Sequence, residues 1–154
     1  AFVRPFRTGM SDYDSIEFVR EDIIAVLPKN HPLAQESLIP LASLKNDPMI
    51  LIGEQAELHY VCMQLCQKTG FTPASRFNGL RPDNILALVS LNMGVALLSQ
   101  NFCEYYKREN TVGVRIMPTA STSIRLIRKK GHKLSRPAQA FWDFIKKDSK
   151  NTHK

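Results

Sequence analysis

The run Ile23-Ile24-Ala25-Val26-Leu27 constrains this chain more than any other stretch: five apolar residues without a polar break, closed by Pro28. A strand with one wet face alternates apolar and polar side chains, whereas a continuous β-branched run belongs to a strand buried on both faces. Such a strand needs cover above and below it. Gly94-Val95-Ala96-Leu97-Leu98-Ser99 repeats the signal. With 154 residues, 44% of them hydrophobic, the chain is long enough to bury a core of that kind.

Around these runs, strand and helix patterns alternate. Residues 16–28 read as one strand, broken by Asn30-His31-Pro32. A helical turn is expected from Leu41 to Lys45, and Met49-Ile50-Leu51-Ile52 is a short buried strand ending at Gly53. The next helix puts Leu58, Val61, Cys62, Leu65 and Cys66 on one face, with Gly70 as its stop. Residues 75–79 form a third strand. Pro82 suits the first turn of a helix and Asp83 its positive end, with Ile85, Leu88, Val89 and Leu91 as the buried stripe before Asn92-Met93-Gly94. Residues 100–110 read as helical, 112–117 and 122–130 as strands. Ser135 caps a closing helix, with Pro137 near its first turn and Phe141, Phe144 and Ile145 facing inward. The alternation predicts an α/β fold with a mainly parallel sheet.

The net charge of +7 is concentrated at one end. Residues 1–124 hold 11 Lys and Arg against 12 Asp and Glu, whereas residues 125–154 hold 10 against 2. Lysine-rich loops and tails are ordinarily solvated, and no aromatics interleave with the basic loop to stack on bases. The chain is therefore not read as a DNA-binding element itself. No apolar run approaches the roughly 18 residues of a membrane span, and no leader opens the sequence. Cys62, Cys66 and Cys103 are odd in number and lack CxxC spacing, which indicates neither a disulfide framework nor a zinc site and fits a cytoplasmic protein.

Catalytic motifs are missing as well: there is no GxSxG, Walker loop, HExxH or glycine-rich dinucleotide fingerprint. His59, Cys62 and Cys66 share a helical face, but the cysteines belong to the apolar stripe and read as core, with His59 on its margin. His31 precedes Pro32 and closes a turn by hydrogen bonding. No catalytic role, cofactor or metal is expected.

Six ordered stretches carry a resemblance: AFVRP at 1–5, EDIIAVLPKNHPLA at 21–34, IPLASLKNDPMILI at 39–52, CQKTGFTPA at 66–74, NILALVSLNMGVALLS at 84–99 and LSRPAQAFWDFI at 134–145. With these gaps, the chain resembles the effector-binding domain of LysR-type transcriptional regulators over nearly its whole length. The resemblance implies a type 2 periplasmic-binding-protein-like α/β fold of two Rossmann-like lobes joined by two crossover strands. Lobe two would span 27–125, and lobe one, incomplete, would hold 1–22 and 126–148, with a basic tail at 149–154. It implies a small-molecule effector in the cleft between lobes, a homodimer or homotetramer for the full-length protein, and DNA contact only through an N-terminal domain absent from this chain. It implies no membrane partner. Ser99 stands where the family often has proline.

Ligands of open α/β folds bind beyond the carboxyl ends of strands, where backbone N–H groups at helix starts point outward. Ile52, Gly53, Glu54 and Gln55 form one such place, and Asn78, Gly79, Leu80 and Arg81 another. By resemblance, Arg4, Pro5 and Phe6 line the opposite wall. Arg4 or Arg81 suits a carboxylate effector, because guanidinium holds that group in a bidentate fork. The competing reading of the same fold is a transporter's solute-binding protein, which would need export; an enzyme on this fold would need a reactive constellation that no local motif supplies.

Overall fold

The computed structural model describes residues 2–3 and 10–149, with the backbone alone at residues 2, 3, 10, 75, 76 and 78–80. In chain order the elements are β1 (Phe2–Val3), β2 (Tyr13–Pro28), β3 (Leu38–Pro40), β4 (Met49–Ile52), α1 (Glu57–Lys68), β5 (Ser75–Leu80), α2 (Pro82–Ser90), β6 (Ala96–Ser99), α3 (Gln100–Tyr105), β7 (Thr111–Met117), β8 (Ser121–Lys129) and α4 (Arg136–Asp148). Single turns of 3-10 helix occupy Met10–Asp12 and Leu41–Leu44. They divide into two compact units, Glu21–Thr122 and Ala1–Arg20 with Ser123–Lys154.

In the larger unit the apolar end of β2 is the centre of the sheet. It pairs antiparallel with β6 on one side, Ile23 opposite Ser99, and antiparallel with β7 on the other, Ala25 opposite Val114. Flanked on both edges and covered on both faces, Ile23 to Leu27 are all buried. β3 extends the sheet parallel to β7. At the far side Val95, just before β6, bridges Met49 of β4 in parallel, and β4 pairs in parallel with β5. The sheet is thus mixed rather than mainly parallel, since β2 runs against both neighbours. An uninterrupted apolar run reports burial on two faces and carries no information on strand direction.

Both long helices of this unit end in the same way. The N–H of Phe71 donates to Cys66 and that of Gly70 to Gln67, a Schellman closure with Gly70 at φ +91°. α2 repeats it, Met93 to Leu88 and Asn92 to Val89, with Asn92 at φ +62°. The buried stripe of α2 is Ile85, Leu86 and Val89. Leu91, expected in that stripe, is 69% exposed because it is the C-cap and the chain turns outward there. α3 is shorter than the helical pattern of 100–110, ending at Tyr105.

In the smaller unit β1 pairs antiparallel with β8, Phe2 opposite Leu126. α4 is capped by Ser135, whose Oγ accepts from the N–H of Ala138. It buries Trp142 and Ile145 against Leu126, with Ile16 and Leu134 at the edge of this small core. Ile145 faces inward as expected, but Phe141 and Phe144 do not: they are 47% and 65% exposed. Trp142 takes the inner position, where the Arg128 guanidinium lies 4.5 Å from its ring centre and is itself held by Asp14 at 3.0 Å.

Candidate functional site

The parallel pairing of β4 and β5 sets Ile52 beside Leu80, so the two strands leave the sheet at the same edge. Two of the three residue groups picked out in the sequence are brought together by this register. Gly53, Glu54 and Gln55 form a turn in which the N–H of Ala56 donates to Gly53 at 2.9 Å, and α1 then begins with Ala56 as N-cap. Asn78, Gly79 and Leu80 are not the expected loop after the strand but the last residues of β5, whose pairing with β4 runs to Leu80, and Arg81 follows at once as the N-cap of α2. Arg4, Pro5 and Phe6 lie outside the described residues.

Neither helix has a side-chain cap. Backbone donors at two helix starts, each at the positive end of its dipole, therefore face the same edge, a setting that favours an anion or a strong acceptor. Glu54 and Gln55 are exposed, and the Arg81 side chain, 83% exposed, stands 3.4 Å from Asp83. So open an ion pair contributes little, which leaves the guanidinium available to a ligand.

His59 is the residue that sequence reasoning underrated. It is buried, and its Nδ1 donates to the carbonyl of Ile52 at 2.8 Å, pinning the end of β4 to the first turn of α1. Its ring also meets Tyr60 edge-on. The available signal was its position three residues past the N-cap, where a polar side chain reaches back toward the preceding loop. His31, in contrast, closes its turn as expected: Leu33 N–H donates to Nδ1 at 3.1 Å, so Nε2 is the nitrogen that faces Asp47 at 3.3 Å.

The two thiols of α1 are buried. Burial, then the neighbouring Cys66, pushes the Cys62 thiol far above its ordinary range, and its Sγ–H points at the Leu97 carbonyl. Burial pushes Cys66 up to about 11. Both stay protonated near neutral pH, and the thiolate is the nucleophile. Among the described residues no group of three His, Cys, Asp or Glu could hold a metal ion, and no helix is long and apolar enough to cross a membrane.

Comparison with known families decides what kind of domain this is. The family model described as LysR substrate binding domain matches residues 1–150. The chain belongs to the LysR substrate-binding domain family. It is 32% identical over 146 residues to the transcriptional dual regulator GltC of Bacillus subtilis, which covers 94% of this chain and 49% of that protein. The chain spans about half the length of the curated relatives it matches. Among solved structures, the CcmR regulatory domain of Synechocystis PCC6803 in complex with 2-PG superposes with a TM-score of 0.85 at 19% identity, covering 97% of this chain and 73% of that one. The effector-binding domain of QuiR in complex with shikimate gives 0.83 at 21%, covering 95% and 69%. At those identities the superpositions establish the fold alone, type 2 periplasmic-binding-protein-like and mixed α/β.

Proposed function

We propose that this LysR substrate-binding domain senses a small organic acid at the edge where β4 and β5 end, and that it does so without turning the ligand over. The register of Ile52 against Leu80 carries the reading, because it sets Gly53–Gln55 and Arg81 side by side at two uncapped helix starts. QuiR, a protein of the same fold, binds shikimate, an organic acid anion, which supports the ligand class. Asn78 and Gly79 belong to the same proposed site. In the whole regulator, a homodimer or homotetramer, the effector would favour one arrangement of the subunits by its differential affinity, and an N-terminal domain would carry that bias to DNA.

Titration calorimetry of the intact regulator against a panel of organic acids tests this. One acid should bind saturably, and Gln55→Ala and Arg81→Ala should each weaken it several-fold with folding unchanged. Binding indifferent to both substitutions overturns the site; consumption of the acid overturns the sensing role.

A further inference from the structure

A cavity of about 550 Å³ opens in the larger unit away from the β4–β5 edge, along β2 and β7 and beside α3. Its volume lies within the range of small-molecule sites, about 300–1,000 Å³. The floor is apolar sheet: Ile24, Val26 and Gly113, with the Cys103 side chain of α3 at its side. Gly113 stands mid-strand, where glycine ordinarily weakens pairing and marks a close approach. A Cβ there would sit 2.6 Å from the Ile24 Cδ1, so glycine lets the isoleucine lie flat across the strand.

The rim is charged. Lys107, Arg108 and Arg115 line it against Glu104 and Glu109. Arg115 spends its Nε on the Ser37 carbonyl at 3.2 Å, and Glu104 accepts from Gln100 at 2.7 Å. Among the described residues neither Lys107 nor Arg108 has an ion-pair partner.

We propose that this cavity is a second binding site, for a small organic acid whose apolar body lies on the Ile24–Val26–Gly113 floor and whose carboxylate meets Lys107 and Arg108. The apolar floor excludes strongly hydrated anions such as inorganic phosphate, and the Lys107 and Arg108 cations select against neutral isosteres of the same shape. Burial pushes the Cys103 thiol up to about 12, with Glu104 adding to it, as expected of a dry side wall.

The test uses the intact regulator labelled at isoleucine δ1 methyls, titrated with salicylate and, separately, with neutral salicylamide. Ile24 reports on this cavity and Ile52 on the β4–β5 edge, so the two sites are read independently. The expected result is a saturable shift of Ile24, weakened about tenfold by the double charge reversal Lys107→Glu/Arg108→Glu and weak for salicylamide. Both substituted side chains are exposed, so the remaining methyl signals should stay in place. No shift of Ile24 up to about 10 mM salicylate overturns the site, as does a shift confined to Ile52. An Ile24 shift indifferent to charge reversal overturns the anion preference. Dependence of the Ile24 signal on protein concentration without salicylate overturns the proposal in favour of a second copy of the chain.

Discussion

The Nδ1 of His59 lies 2.8 Å from the carbonyl oxygen of Ile52, joining the first turn of α1 to the last residue of β4. A carbonyl only accepts, so Nδ1 carries the proton, and nitrogen NMR of the imidazole should find Nε2 bare in the neutral ring. His59→Phe keeps the ring volume and removes the donor. Losing one such hydrogen bond costs about 0.5–1.5 kcal/mol, so the urea midpoint should fall, and His59→Asn, which can restore a donor at that place, should recover part of the loss.

Gly94 and Gly70 both have positive φ, +155° and +91°, but their surroundings differ. A Cβ on Gly94 would run into the carbonyl oxygen of Pro48, whereas one on Gly70 meets nothing within 4 Å. That Pro48 carbonyl also accepts from Val95 at 2.9 Å, so it is not free to move aside. Gly70→Ala should therefore cost about 1 kcal/mol of backbone strain, in the range of left-handed non-glycine residues. Gly94→Ala should cost more than twice that, and thermal denaturation of the two variants side by side measures the difference.

The Cys66 thiol is held up to about 11, against an ordinary value of 9.0, by burial. Between pH 9 and 11 the unfolded chain releases this proton while the folded chain keeps it. The associated stability is therefore fully present below pH 9 and is lost as the pH rises toward 11. Cys66→Ala should flatten the decline of unfolding free energy across that window even though the smaller side chain lowers stability overall. An unchanged slope, measured by urea unfolding at several pH values, would count against the burial of this thiol.

The longer strands and most helix starts and stops were legible because each rests on local chemistry: apolar runs, Pro82, Gly70, Asn92 and Ser135. What escaped was set by neighbours distant in sequence. On α4, both Phe141–Phe144–Ile145 and Trp142–Ile145 satisfy helical spacing. The choice falls to β8, where Leu126 and the Asp14-held Arg128 accept the indole. On α2, Leu86 replaces Leu91 because the Schellman closure turns the chain out before Leu91 can dock. At the site, residue types pointed to two chain segments, but only the Ile52–Leu80 register shows that they meet, and that the His59 ring reaches the Ile52 carbonyl is seen only in the folded chain.

Exposed aromatics on α4 lead to a prediction about association. Phe141 and Phe144 project from the side of the helix beside buried Trp142, and a cavity of about 210 Å³ lined by Phe141, Trp142, Leu134 and Ala138 adjoins them. Exposed aromatic side chains of this kind promote self-association, and burying one phenylalanine ring is worth about 1.5–3 kcal/mol. The 154-residue chain on its own should therefore sediment as a concentration-dependent mixture of monomer and larger species. Phe141→Ser/Phe144→Ser should shift it toward monomer with little change in melting temperature, since Trp142 and Ile145, rather than the two phenylalanines, hold the helix to its core. The lone tryptophan offers an internal control: its emission should remain that of a buried indole in the double variant. A red shift would mean that the phenylalanines support the packing of α4, and a monomer in the unsubstituted chain would mean that the patch does not drive association at all.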